Sequence, residues 1–261
     1  MTMDYPMKSN GMYIIRKEDF DDIGEAVLLE YMSEVLRYPT AIDIMALATE
    51  CLYLDVKNKY ITQDGSILGM IAFGDTEFIG YGMSLEEEKI DLPEGTVLID
   101  YRLCGLENMG RRNFTVAHEC GHWVCHRPYH SPNNKVYEFR KNKPQSLIAC
   151  RAENIEGIKT SASFNRFTDE DWEEWQADSF AAAILMPRKT FIEAFREALK
   201  AKGVRRDYLI KGDDSGIEAS IIHYLMRIFE VSYTAVKIRL KNLGLMRDYS
   251  NNRHWGYANH R

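Results

Sequence analysis

Apolar and polar residues recur with two different periods along this chain, and the switch between them marks its organisation. Over residues 20–37 (FDDIGEAVLLEYMSEVLR), Ile23, Val27, Leu28, Tyr31, Met32 and Val35 fall at helical spacing. The pattern predicts an amphipathic helix ended by Tyr38-Pro39. Thr40 is the predicted cap of a second helix reaching to about Glu50. From Leu52 to Asp100 the texture turns β-rich: LYLDV, SILGMIAF, EFIGYGM and TVLID are short runs punctuated by glycines, which predict a small antiparallel or mixed sheet. Helical spacing returns around Phe114–His126 and again from Thr168 to Met186, where Thr168 and Asp171 have the form of a capping box and Pro187 forces a stop. Between these helices, 127–146 reads as a polar, proline-broken loop, SLIACR (146–151) as a strand, and 152–167 as an irregular return.

Three more helices are predicted at the C-terminal end. Residues 188–202 turn Phe191, Ile192, Phe195 and Leu199 inward and end at Gly203; 216–229 and 232–242 follow, with Ser232 as cap and Gly244 as stop. The class is α+β. We divide the chain into a mixed domain, 1–189, and a helical region, 190–261, whose short helix, tight turn and short helix have the outline of a helix-turn-helix.

Composition narrows the function. The 261 residues are 45% apolar and 28% charged, as in globular proteins in water. A net charge of −6 argues against a general electrostatic grip on nucleic acid or membrane. No run approaches the roughly 18 apolar residues needed to span a bilayer, and MTMDYPMKSNGMYII lacks a secretory apolar core, so the expected compartment is the cytoplasm. Five cysteines without CxxC spacing read as reduced thiols; Cys120 and Cys125 are expected to be buried on helix faces rather than to form a second metal site.

The candidate chemistry lies in FTVAHECGHWVCH, which sets His118, Glu119 and His122 in the order His-Glu-x-x-His. On a helix, residues at i and i+4 lie one above the other, so both imidazoles can reach one ion. Glu119 points about a third of a turn away, where a base acting on water belongs. His126 continues the series, but it stands about 12 Å from His118 at roughly 1.5 Å per residue, too far to share an ion. Cys125 and Pro128 likewise occupy the positions where the longer metzincin pattern needs glycine and histidine. His126 is therefore expected to cap or pack. Gly121, costing roughly 1 kcal/mol relative to alanine inside a helix, implies that another backbone or a substrate comes close. Arg111 and Arg112 read as solvated charge, and Asn113 or Thr115 as the helix cap.

Two histidines do not complete a catalytic metal site, which needs three protein ligands and one open position. The segment TDEDWEEWQADSFAAAILM supplies candidates: Glu174 as third ligand, with Glu170 and Glu173 as weaker alternatives, and Asp178, one turn on, as acceptor for the free N–H of a ligating histidine. Ala177 and Ala181 on the same face would let this helix lie close to the first.

RRNFTVAHECGHWVCH followed by EEWQADSFAAAILMP resembles the ImmA/IrrE family of bacterial metallopeptidases, most strongly over residues 97–189. The resemblance implies a gluzincin-like fold, one zinc ion held by His118, His122 and Glu174, and Glu119 as catalytic base. It also implies a protein substrate, a helix-turn-helix repressor of mobile-element or stress genes. Ile184 and Asp178 stand where the family more often has leucine and asparagine; the second change keeps the acceptor oxygen.

For the C-terminal helices, Lys237, Arg239, Lys241 and Arg247 form a modest basic strip, and Tyr233 and Thr234 start the second helix. Packing or partner recognition through Ile221, Leu225, Ile228, Val236, Leu240 and Leu243 is favoured over DNA reading. The rival to a protease is a non-proteolytic regulator that binds DNA or a repressor and carries a structural or vestigial zinc site.

Overall fold

Strand β5 (Thr96–Asp100) explains how the layers of the molecule form. All five of its residues are buried, yet they point two ways: Val97 and Ile99 join the main core, while Leu98 joins a smaller cluster with Ile61, Met70, Ala72, Ile90 and Leu92. That is the period of two expected of a strand covered on both faces. In the computed structural model, which describes residues 3–130, 147–151, 168–212 and 215–248, β5 lies inside a mixed sheet of order β1-β5-β2-β6. Strand β1 (Asp55–Lys59) runs parallel to β5, and β2 (Ile67–Ala72) runs antiparallel to both β5 and β6 (Leu147–Arg151). A separate hairpin, β3 (Thr76–Tyr81) with β4 (Glu87–Leu92), covers one face through Phe78, Ile90 and Leu92.

The other face carries the helices. Helix α1 (Asp19–Tyr31) is followed by a 3-10 turn, Ser33–Leu36, so the single helix expected over 20–37 breaks at Met32. The next helical segment is short, α2 (Ile44–Ala46) continuing as a wider turn to Cys51, and its cap is Asp43, whose carboxylate accepts from Ala46 N. Thr40 lies too far upstream to serve. Helix α3 (Met109–His130) carries the His-Glu-x-x-His motif. It starts four residues before Asn113, so neither Asn113 nor Thr115 caps it; Asn113 Nδ2 donates instead to the Glu230 carbonyl at 3.0 Å. It also runs past Pro128, where a loop was expected. Proline keeps helical φ and forfeits one backbone bond, while Tyr129 and His130 beyond it are buried. The rest of that loop, residues 131–146, and the return at 152–167 lie outside the described residues.

Helix α4 (Asp169–Leu185) begins with the capping box Thr168–Asp171 and sits between α1 and α3. Small residues make this possible: a Cβ on Gly24 would stand 3.0 Å from Ala183 Cβ, and one on Gly121 would stand 3.0 Å from Ala177 Cα and O. Gly121 thus buys backbone contact with α4 at the cost of local helix propensity.

Helix α5 (Arg188–Ala201), α6 (Ser215–Phe229) and α7 (Tyr233–Asn242) follow, with a small parallel pair, β7 (Leu209–Lys211) and β8 (Met246–Asp248). Ser232 caps α7 through Ala235 N, and Gly244 turns the exit with φ +70°. The main core is one cluster that runs from Met3 to Met246. Arg239, counted above with the basic strip, is only 5% exposed: it pairs with Asp21 and donates through Nε to the Met186 carbonyl at 3.1 Å. Among the described residues no helix is long and apolar enough to cross a membrane.

Candidate metal centre

The i+4 spacing on α3 places His118 and His122 edge to face, with their Nε2 atoms 3.0 Å apart. Both are fully buried. Glu174 reaches in from α4, Oε2 standing 3.6 Å from His118 Nε2 and Oε1 3.5 Å from His122 Nε2. Donors on a tetrahedral ion bound at about 2.0–2.1 Å sit about 3.3 Å apart, and the three separations bracket that value. Two ring lone pairs facing at 3.0 Å repel unless a proton or a cation lies between them. The donor set therefore fits a metal ion, and these three side chains form one of the two groups of metal-donor residues among the described residues.

Glu119 occupies the sheet side of α3. Both of its carboxylate oxygens are buried without a hydrogen-bond partner, and burial pushes the carboxyl up to about 8. Room for it comes from β2, where a Cβ on Gly69 would stand 2.5 Å from Glu119 Oε1 and 2.5 Å from Thr115 Cγ2. An unpaired buried carboxylate is costly as structure, and a group poised near neutrality is suited to moving protons.

Around the cluster, Asp178 Oδ1 lies 2.9 Å from His118 Nδ1. A proton on that Nδ1 leaves Nε2 with a free lone pair. The two alternatives for the third carboxylate are elsewhere: Glu170 is exposed, and Glu173 is buried against His130 on the last turn of α3. Cys120 and Cys125 are buried, as expected, and Arg111 and Arg112 are half-buried rather than solvated, with Arg112 Nη2 3.9 Å from Met45 Sδ.

Two participants escape the motif reading. Cys150 forms the second donor group with His118 and Glu119, all within 4.8 Å; strand alternation turns Ile148 and Cys150 to the helix side of β6 while Leu147 and Ala149 face the hairpin cluster. Burial drives its thiol up to about 11. His126, expected only to cap or pack, bonds to His122: their Nδ1 atoms are 3.0 Å apart, and His126 Nε2 is 3.1 Å from Gln176 Oε1. The run of histidines at 118, 122, 126 and 130 was the signal available for it.

Two buried histidines and one half-buried carboxylate, shared by two helices against a sheet, define a candidate metal centre. Residues 150–241 match the family model Peptidase_M78, the IrrE N-terminal-like domain, which supports assigning the chain to the ImmA/IrrE family of metallopeptidases. The matched span takes in Glu174 and Asp178 and continues into α7, while His118 and His122 precede it. No curated protein and no solved structure matches the chain significantly.

Proposed function

We propose that the protein is a zinc-dependent endopeptidase of gluzincin-like layout, with His118, His122 and Glu174 as ligands and Glu119 as base, that cleaves a helix-turn-helix repressor. The observation that carries this reading is the pairing of three converging donors with an unpartnered buried carboxylate. When bound, zinc supplies a Lewis acid that polarises the scissile carbonyl and acidifies a water. Glu119 takes the proton from the attacking water and returns it to the leaving amine. Asp178 holds the His118 ring, and Gly69 leaves space for the Glu119 carboxylate. The repressor substrate comes from the family likeness, and the C-terminal helix-turn-helix-like pair is read as a partner-recognition element rather than a DNA reader. Burial of Arg239 against Asp21, which removes a cation from the basic strip, supports that choice.

The test is incubation with a helix-turn-helix repressor encoded beside this protein, with and without a chelator. Defined fragments that disappear with the chelator are expected, and His122→Ala is expected to copurify without zinc. Cleavage that survives chelation, or normal zinc content in His122→Ala, refutes the reading.

One observation favours the rival, a closed, non-catalytic site: Cys150 lies near enough to His118 and Glu119 to offer a fourth donor. A thiolate closing the site would make zinc retention depend on it. We expect Cys150→Ala to keep both stoichiometric zinc and cleavage.

A further inference from the structure

The hydrogen bonds beyond His122 have a direction, and it is set far from the motif. Gln176 Nε2 donates to the carbonyl of Tyr13 at 3.0 Å, inside the core. A carbonyl can only accept, so the amide of Gln176 is oriented with its NH2 toward Tyr13 and its Oε1 toward His126. His126 Nε2, 3.1 Å away, must then carry the proton. A neutral imidazole has one N–H, so His126 Nδ1 is bare and accepts from His122 Nδ1 at 3.0 Å. With its proton on Nδ1, His122 presents a bare Nε2 to His118 and Glu174. All three links are buried, and His122, His126 and Gln176 are each no more than 1% exposed. Two ring nitrogens 3.0 Å apart share one proton between them, so only one of the two Nδ1 atoms carries it.

We propose that His126, oriented by Gln176 and the Tyr13 carbonyl, is a positioning residue that fixes the tautomer and ring angle of His122 and so readies its Nε2 to hold a metal. The proposal rests on the ligand assignment made above. It parallels what Asp178 does for His118, but with a neutral relay in place of a carboxylate. His118 and His122 are therefore supported unequally, one by an anion at the edge of solvent and one by a chain of neutral groups that ends in the N-terminal segment.

Support of this kind is typically worth 10–100-fold in metal affinity. The test is zinc affinity measured by competition with a chromophoric chelator on the full chain. His126→Leu fills the volume without an acceptor and should bind zinc about 10–100-fold more weakly; His126→Gln keeps an acceptor oxygen and should restore most of the loss. Gln176→Leu, which leaves both histidines in place, should also weaken binding. A His126→Leu affinity within twofold of wild type, or His126→Gln as weak as His126→Leu, overturns the proposal. A second readout needs no zinc: in the zinc-free protein labelled with 15N-histidine, His122 should be the Nδ1–H tautomer and His126 the Nε2–H tautomer. The opposite assignment for His126 overturns the relay even if a variant fails to fold. Failure of the wild-type chain to bind zinc counts against the proposed function, whereas normal wild-type binding with unaffected variants counts against the relay alone.

Discussion

Two of the places where the molecule buries charge are treated in opposite ways. Between α1 and α7, Arg239 pairs through Nη2 with Asp21 and donates through Nε to the Met186 carbonyl. Between α3 and α4, Glu119 keeps both oxygens without a hydrogen-bond partner, and two imidazole lone pairs point at each other. The first arrangement joins the C-terminal helices to the rest and closes on itself. The second is incomplete as structure, which is what distinguishes a place for chemistry from a place for adhesion: buried polar groups that serve stability are paired, and those left unpaired need another reason.

Substitutions that remove each group should therefore separate activity from stability. The largest effect belongs to Glu119→Gln, expected to cut cleavage about 10³-fold while zinc content, read by atomic absorption, stays stoichiometric and the metal-free unfolding midpoint does not fall. Arg239→Ala should do the reverse. Leaving Asp21 unpaired is expected to cost about 3 kcal/mol in denaturant unfolding, with cleavage per folded molecule close to wild type. A smaller loss, about tenfold in cleavage, is expected for Gly69→Ala, because the new methyl displaces the Glu119 carboxylate; unchanged kcat would show that the base tolerates the shift. Least of all is a pH effect at Asp19, whose carboxyl is held below its usual value by its hydrogen bond to Arg16. A depressed carboxylate contributes stability above its unfolded value near 3.9 and loses it as pH falls through the folded value. Arg16→Met should accordingly lower stability slightly at neutrality and make the acid unfolding limb shallower, the difference from wild type vanishing once the pH is below the folded value of Asp19, as read by denaturant unfolding at neutral and at strongly acid pH.

How far each feature was legible depended on how local its cause is. His118, His122, Glu174 and Asp178 could be found because an i+4 spacing is a property of one helix, and alanines beside the two acids announced a close helix contact. Strand β5 was visible as an unbroken apolar run. Strand β4 was not, since Glu87, Glu88 and Lys89 mask the alternation that only Ile90 and Leu92 carry. Cys150 reaches the site because β6 pairs with β2 in a register that turns it toward α3, a long-range fact with no local signature. Arg239 looked like a surface cation because the partner that buries it, Asp21, is on α1. His126 was set aside on distance as a ligand alongside His118, and neither donor group among the described residues includes it, yet distance to an ion is the wrong question for a residue that acts through its neighbour.

The contact of Gly121 with the backbone of Ala177 bears on the order in which the protein is made ready. The donors on α3 and α4 are brought together by main chain resting on main chain and by the core around it, so a metal ion would meet a vessel already shaped. A zinc finger is folded by its metal; on the function proposed above, loading here would follow folding and could be undone without losing the shape. Its contribution is that of any ligand to a standing fold, about 4 kcal/mol when the ion exceeds its Kd a thousandfold. Stripping and refilling the protein should thus be reversible within one folded population.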